Sequence, residues 1–180
     1  MKKLILLFIC ILWISQISAQ NTEWATFEKK IEWITFEEAI DLNKENPKQL
    51  LIDIYTDWCG YCKKMDRNTY ENKVIIKLIN ENFYAVKLNA EQKEALYYKG
   101  KEYVFINNGR RGYNEFAANL LQGKMSYPST VFMDKSENIL QKIPGYLTPE
   151  IMEPILVYLS KEKHLEQPWE DFQKEFISKL

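Results

Sequence analysis

The sequence predicts an α/β fold in which a central mixed β-sheet is flanked by helices. Residues 49–88 read as a strand, two helical stretches and a second strand, which is the pattern of a parallel strand–helix–strand unit. Residues 125–143 contain two more apolar runs with a short polar turn between them, which is typical of an antiparallel hairpin. A sheet that combines both kinds of connection is mixed.

The composition is that of one ordinary globular domain. The chain has 180 residues, of which 46% are hydrophobic, and its 24 basic side chains nearly balance 25 acidic ones. Basic and acidic residues are interleaved, so we expect no one-signed surface that would attract nucleic acid.

The first residues have the pattern of a signal peptide. Lys2 and Lys3 precede an apolar run over residues 4–14, and small and polar residues follow up to Ala19. The run is shorter than the roughly 20 residues that a membrane-spanning helix needs, so a membrane anchor is the weaker alternative. We therefore expect a signal peptide over residues 1–19 and an exported chain.

The first helix and the first long strand follow from local signals. Thr35 can cap a helix, Glu38 completes a capping box three residues later, and Pro47 ends the helix. Residues 49–56 are almost continuously apolar, as expected for a strand that is covered on both faces. Asp53 is the residue that breaks this run.

The remaining elements are less sharply marked. A helix is predicted from the cysteines to about Tyr70, and another around residues 74–79. Residues 91–112 are charged and aromatic, and we interpret them as an inserted loop or a small hairpin. Residues 114–121 look helical.

The C-terminal region is predicted to hold two helices. Thr148 and Pro149 start the first, although Pro154 is an alternative for its first-turn proline. The second is predicted over residues 168–180.

Two cysteines carry the candidate chemistry. Cleavage would remove Cys10, which leaves Cys59 and Cys62 at the start of a predicted helix. A helix N-terminus stabilises a thiolate, so Cys59 is the expected nucleophile toward a substrate disulfide, and Cys62 the thiol that releases the product.

A zinc site and a structural clip are the two alternative uses of this pair. A zinc site needs about four ligands, and the mature chain offers the two cysteines and the single His164, so a metal is not expected. A structural disulfide clip stays open as an alternative.

Residues 50–63 resemble the active-site segment of thioredoxins. That family has a buried aspartate six positions before its first cysteine, where this chain has Asp53. Its cis-proline before a later strand is matched by Tyr127 and Pro128, and its strand lysine by Lys87. The resemblance covers about residues 33–160 and implies the thioredoxin fold.

On this basis residues 20–180 form a single thioredoxin-like domain. The insert, residues 91–112, precedes the cis-proline strand, and residues 161–180 form a helical extension. The insert is a candidate substrate surface, and a loop that only covers the sheet edge is the equal alternative.

The resemblance also assigns roles to the site residues. Cys59, Cys62 and Asp53 would be catalytic, and Asp53, with its pKa raised by desolvation, would exchange a proton with Cys62. Substrate binding is expected from the residues around the cysteines and the proline, namely Trp58, Gly60, Tyr61, Tyr127 and Pro128. Lys63 and Lys87 would play supporting parts. No prosthetic group is implied.

One departure from the family affects the direction of electron flow. Tyr61 stands where cytoplasmic thioredoxins have proline, and the two residues between the cysteines tune a redox poise that varies by on the order of 150 mV across the fold. The Gly-Tyr pair lacks the histidine of strong oxidants, which favours a reductase. Disulfide oxidase or isomerase, and a non-catalytic binding module, are the alternatives.

Residues 74–91, which follow the helix of the cysteines, resemble the periplasmic C-terminal domain of a transmembrane thiol reductase. This implies protein or peptide disulfides as substrates, a membrane thiol reductase as electron donor, and the periplasm of a Gram-negative bacterium as location.

Overall fold

The computed structural model describes residues 30–109 and 111–180. The predicted signal peptide, residues 1–19, lies outside the described residues. Nine strands, six α-helices and one 3-10 helix follow in chain order among the described residues: β1 (Trp33–Ile34), α1 (Phe36–Glu45), β2 (Gln49–Tyr55), α2 (Gly60–Asn68), α3 (Lys73–Asn82), β3 (Phe83–Asn89), β4 (Leu96–Tyr98), β5 (Lys101–Tyr103), β6 (Phe105–Ile106), β7 (Tyr113–Asn114), α4 (Glu115–Leu120), β8 (Ser129–Met133), β9 (Ile139–Pro144), α5 (Pro149–Ser160), the 3-10 helix (Lys163–Leu165) and α6 (Trp169–Glu175).

The central sheet is mixed, as predicted. Its five strands lie in the order β1-β3-β2-β8-β9. β2 runs parallel to β3 along its whole length, with Gln49 opposite Phe83 and Tyr55 opposite Asn89. β8 is antiparallel to both of its neighbours, β2 and β9, which confirms the predicted hairpin. The first strand of that hairpin begins at Ser129, later than the apolar run suggested.

Helix α1 forms where its capping signals predict. The Thr35 hydroxyl accepts from the Glu38 backbone N–H, and the Glu38 carboxylate accepts from the Thr35 backbone N–H at 2.8 Å. The helix ends at Glu45, two residues before Pro47.

Strand β2 is buried on both faces and divides the interior. Leu50, Ile52 and Ile54 belong to the cluster that contains residues of α1, α4 and the insert. Leu51 belongs to the cluster on the other face, with residues of α2, α3 and α5. Because side chains alternate along a strand, Asp53 projects to the same face as Leu51, the face that α2 covers.

The insert is a folded unit. β4 and β5 form an antiparallel hairpin, and β6 pairs with β7, so of the two expected forms, loop or small hairpin, the structure shows strand pairing. Leu96 and Tyr103 are buried in the main core, where the Tyr103 ring packs edge-on against Phe116 at 5.1 Å between centroids. The insert therefore contributes two side chains to the main core.

The C-terminal helices differ in part from the prediction. α5 begins at Pro149, and Pro154 lies inside it, so Pro149 is the first-turn proline. The prediction of a last helix through residue 180 was wrong, because α6 ends at Glu175. The buried Glu153 carboxylate accepts from the Ser178 hydroxyl at 2.6 Å and from the Lys179 backbone N–H at 2.7 Å, and these bonds hold the tail in a non-helical path.

Within residues 30–109 and 111–180, no helix is long and apolar enough to span a bilayer.

Candidate active site

The two cysteines lie at the N-terminus of α2 and form a disulfide. Cys59 is the N-cap residue, and its sulfur accepts a hydrogen bond from the Cys62 backbone N–H at 3.1 Å. Both cysteines are nearly inaccessible, with exposed fractions of 4% and 2%. Strand β2 delivers the pair to this point, because only four residues separate its end from the helix. The helix N-terminus directs partial positive charge at Cys59, the arrangement that stabilises a thiolate once the disulfide is reduced.

The loop before β8 meets the residue that precedes Cys59. The Tyr127–Pro128 peptide bond is cis. The Tyr127 ring packs edge-on against Trp58, with 5.9 Å between ring centroids. Burial, together with the negative charge of Glu91, raises the pKa of Tyr127 to about 12, so this phenol stays neutral in the physiological range.

Trp58 contacts side chains from both ends of the insert. Its exposed fraction is 49%, so one part of the ring faces solvent. The indole N–H donates to the Glu91 carboxylate at 2.9 Å. The guanidinium of Arg111 lies over the ring, 4.1 Å from its centroid, at a distance typical of cation–π stacking.

A second aromatic pair extends the surface around the disulfide. Tyr61 is 65% exposed, and its ring lies 6.4 Å from that of Tyr146. The ammonium of Lys64 lies over the Tyr146 ring at 4.8 Å. At Gly60 a Cβ atom would meet no neighbour within 4 Å, so the backbone between the cysteines is open to an approaching chain.

Asp53 and Lys87 form a partly buried ion pair across β2 and β3. The two residues are register partners, and the Lys87 ammonium lies 2.6 Å from the Asp53 carboxylate. Lys87 also forms an ion pair with Asp66, whose side chain is 44% exposed. One lysine therefore links an enclosed carboxylate to one at the surface.

Aromatic rings surround the same lysine. Its ammonium lies 4.8 Å from the ring centroid of Trp33, 5.2 Å from Tyr55 and 5.1 Å from Tyr70. Such rings stabilise a cation that has lost part of its hydration.

Burial raises the pKa of Asp53, and the nearby charge of Lys87 only partly opposes this effect. For Lys87 burial acts downward, but the carboxylates of Asp53 and Asp66 outweigh it and raise its pKa. Asp53 thus binds a proton more readily than an ordinary aspartate does, while Lys87 stays charged. That combination suits a group that accepts and returns a proton.

The structure gathers the predicted site residues into two groups. Trp58, Gly60 and Tyr61 flank or separate the cysteines. Tyr127, which forms the cis peptide bond with Pro128, contacts Trp58. Asp53 and Lys87 form the second group, the ion pair that joins β2 and β3. Lys63 is exposed on the first turn of α2 and forms no ion pair within the described part of the chain.

Four residues of this site were missed from the sequence. Asp66 lies four residues after Cys62, on one helix face with it, and this spacing was a usable signal. Glu91, Arg111 and Tyr146 join the site only through the paths of the insert and of the loop before α5, for which the sequence offers no local signal. Among the described residues, no group of three or more His, Cys, Asp or Glu is placed to hold a metal ion.

Comparison with curated proteins finds partial relatives. A protein disulfide-isomerase of Schizosaccharomyces pombe is 27% identical over 118 residues, which are 66% of this chain and 26% of that protein. An uncharacterized Caenorhabditis elegans protein is 26% identical over 76 residues, 42% of this chain and 10% of that protein. The chain thus spans about a quarter or less of these relatives.

Solved structures share the fold. A thioredoxin-fold protein from Helicobacter pylori superimposes with a TM-score of 0.56 at 18% identity, covering 87% of this chain and 92% of the other. A putative disulphide-isomerase from Bacteroides thetaiotaomicron gives a TM-score of 0.52 at 20% identity, covering 74% of this chain and 95% of the other.

The family assignment rests on most of the chain. Residues 36–160 match the family described as thioredoxin-like domain, from the start of α1 to the end of α5. The matched range contains the cysteine pair, the Asp53–Lys87 pair and the cis-proline, and the observed sheet with its flanking helices is the fold that the sequence predicts. The chain therefore belongs to the family of thioredoxin-like domains.

Proposed function

We propose that the chain is a thiol–disulfide oxidoreductase that works as a protein-disulfide reductase through Cys59 and Cys62. The observation that carries this proposal is the disulfide at the N-terminus of α2, where the helix favours a thiolate on the first cysteine. The family assignment and the similarity to a disulfide isomerase support the same chemistry.

The proposed reaction moves two electrons from the cysteine pair to the substrate. The Cys59 thiolate attacks one sulfur of the substrate disulfide, forms a mixed disulfide and releases the other substrate sulfur as a thiolate. Cys62 then loses its proton to Asp53 and attacks the Cys59 sulfur. The second substrate thiolate leaves, and the Cys59–Cys62 disulfide remains.

Substrate docking is assigned to the surface around the pair. Trp58 and Tyr61 expose aromatic area beside the cysteines, and Gly60 leaves the backbone approachable. The backbone of Tyr127, beside Pro128, is proposed to pair with an extended substrate segment.

Direction, donor and location complete the proposal. The Gly-Tyr pair between the cysteines lacks the histidine of strong oxidants, so we assign reduction of disulfides in exported proteins. Electrons would come from a membrane thiol reductase in the bacterial periplasm, reached after cleavage of residues 1–19. Mass spectrometry of the exported chain should find Gln20 as its first residue; retention of the leader would contradict this part.

Disulfide isomerase is the second candidate, because the S. pombe relative carries that name. The two assignments differ in redox potential, which is measured by equilibrating the pair with glutathione. A reductase requires a value toward the reducing end of the range spanned by this fold, and a value near the oxidising end would overturn our direction.

Insulin reduction tests the activity itself. With a chemical donor in excess, we expect turnover by the wild type, none above background for Cys59→Ser, and a trapped mixed disulfide for Cys62→Ser. Equal rates for the wild type and Cys59→Ser would show that the pair is only a structural clip, and would favour a binding module.

A separate variant tests the proton role of Asp53. Asp53→Asn should slow release of the mixed disulfide and remove one inflection from the pH–rate profile, because the base for Cys62 is gone. Asp57→Asn, an exposed carboxyl two residues before Cys59, is the matched control. An unchanged profile for Asp53→Asn would remove Asp53 from the mechanism.

A further inference from the structure

We infer that Arg111 makes the edge of the active site a carboxylate-binding site, so that the chain prefers protein disulfides with Asp or Glu next to the reacting cysteine. This inference rests on the proposed function and names the substrate class of the same site. The starting observation is the exposed guanidinium of Arg111, which the insert holds against Trp58.

The insert holds Arg111 on a fixed base. The Asn114 backbone N–H donates to the Ala90 carbonyl at 2.7 Å, so the two ends of the insert meet at the end of β3. The strand pair β6–β7 reaches to within two residues of Arg111. Leu96 and Tyr103 anchor the hairpin in the core.

The residue after Arg111 makes an unusually close contact. A Cβ atom at Gly112 would lie 2.0 Å from the Phe105 ring and 2.5 Å from the Ile106 carbonyl oxygen. Both distances are shorter than any atom contact allows, so only glycine fits at this position. The backbone directly after Arg111 is therefore packed tightly against β6.

Arg111 is charged and available. Its guanidinium stacks on Trp58, which positions the plane without using the N–H donors along its edge. The side chain is exposed and, among residues 30–109 and 111–180, no carboxylate lies within ion-pair distance of it. A planar fork of donors of this kind suits a carboxylate, which it can bind through two parallel hydrogen bonds.

The neighbouring charges favour an incoming anion over a cation. Lys63 and Lys64 are exposed on the first turn of α2 and have no carboxylate partner among the described residues. The two acidic groups nearby are already hydrogen-bonded, Glu91 to the Trp58 indole and Asp57 to the Asn89 amide at 3.3 Å. These two carboxylates keep their charge, but the three cations Lys63, Lys64 and Arg111 outnumber them, so the local balance of charge favours a substrate carboxylate.

The test uses three peptides that differ at one position. Each forms the same disulfide, and the residue beside the reacting cysteine is Glu, Gln or Lys. Rate constants for reduction by the reduced protein are divided by those for dithiothreitol, which corrects for the intrinsic reactivity of each peptide. For the wild type we expect the Glu peptide to react about tenfold faster than the Lys peptide, with the Gln peptide between them.

Two variants assign the preference to one side chain. Arg111→Gln should reduce the Glu-to-Lys ratio to below about threefold, whatever its effect on the rate with the Gln peptide. Arg67→Gln, which removes an exposed arginine from the far end of α2, is the matched control and should keep the wild-type ratio. The ratio should also fall as salt is raised, because the site is solvent-exposed.

The outcomes separate the two claims. A wild-type protein that does not reduce the neutral Gln peptide contradicts the proposed function. A protein that reduces it with a Glu-to-Lys ratio near one, or an Arg111→Gln variant that keeps the wild-type ratio, overturns the role of Arg111 alone.

Discussion

The Asp53 carboxylate lies in the interior, where its ionised form is paired with Lys87. Burial raises its pKa above the ordinary value of 3.8, so the folded protein holds this proton more tightly than the unfolded chain does. A raised folded-state pKa contributes stability that is complete below the ordinary pKa and is lost as pH rises through the folded-state value. The ionised form of Asp53 is thus a cost to the fold at neutral pH.

We expect Asp53→Asn to stabilise the oxidised protein at pH 7 by on the order of 1 kcal/mol. Lys87 is not left unpaired by this change, because Asp66 still holds it at the surface. Urea unfolding between pH 3 and pH 8 measures the effect, and the gain should shrink as pH falls through the raised folded-state pKa of Asp53 and level off below 3.8. A gain that is equal at all pH values, or a loss at pH 7, would contradict the burial argument.

Residues of the site were predictable where they broke a local pattern. Asp53 interrupts an apolar strand, and the two cysteines open a helix, so both were visible without coordinates. Arg111 and Glu91 lie in or beside a charged segment where one more charge is unremarkable. Their contacts with Trp58 depend on how the insert folds back, and this is set by distant partners such as Phe116.

At the scale of elements, the hairpin of the insert is held by alternate side chains of β4. Leu96 is fully buried, whereas its neighbour Tyr97 is 65% exposed on the opposite face. Leu96→Ala should therefore cost about 2–5 kcal/mol of unfolding free energy, because it leaves a cavity in the main core.

Tyr97→Ala is the matched control and should stay within about 0.5 kcal/mol of the wild type. Denaturant unfolding of both variants measures the difference. Equal costs for the two would mean that the hairpin does not pack as described.

The C-terminal tail depends on one buried carboxylate in α5. A glutamine at position 153 can accept through only one of its two end atoms, so one of the bonds from Ser178 and Lys179 is lost. Glu153→Gln should cost about 1–3 kcal/mol and speed carboxypeptidase release of the last residues. Glu170→Gln, at an exposed position of α6, should do neither; if it did both, the effect would belong to charge and not to the tether.

This tether explains why the last helix ends at Glu175 and not at residue 180, as the sequence predicted. Residues 168–180 carry aromatic residues at helical spacing, and periodicity alone continues the helix to the end. The actual end is set by Glu153, more than twenty residues away. Helix α1 was predictable because Thr35 and Glu38 lie within its own first turn.

For the whole molecule, folding and redox state are linked through one thermodynamic cycle. If the chain is a reductase, the fold stabilises the disulfide form, and the oxidised protein should resist urea better than the reduced protein. Each 30 mV of potential corresponds to about 1.4 kcal/mol of this difference. Parallel unfolding curves in oxidised and reduced buffer measure it, and a more stable reduced form would indicate an oxidant.

The burial of both sulfurs determines how readily other thiols can react with the disulfide. An exchange reaction needs a thiolate in line with the S–S bond, and the folded chain leaves almost no sulfur surface for a chance encounter. Small thiols and proteins that do not dock should therefore react slowly with this disulfide, and reach equilibrium with it only after long incubation. Fast reduction of the disulfide then depends on a partner that docks around it, so the electron donor is selected by contact before any bond is broken.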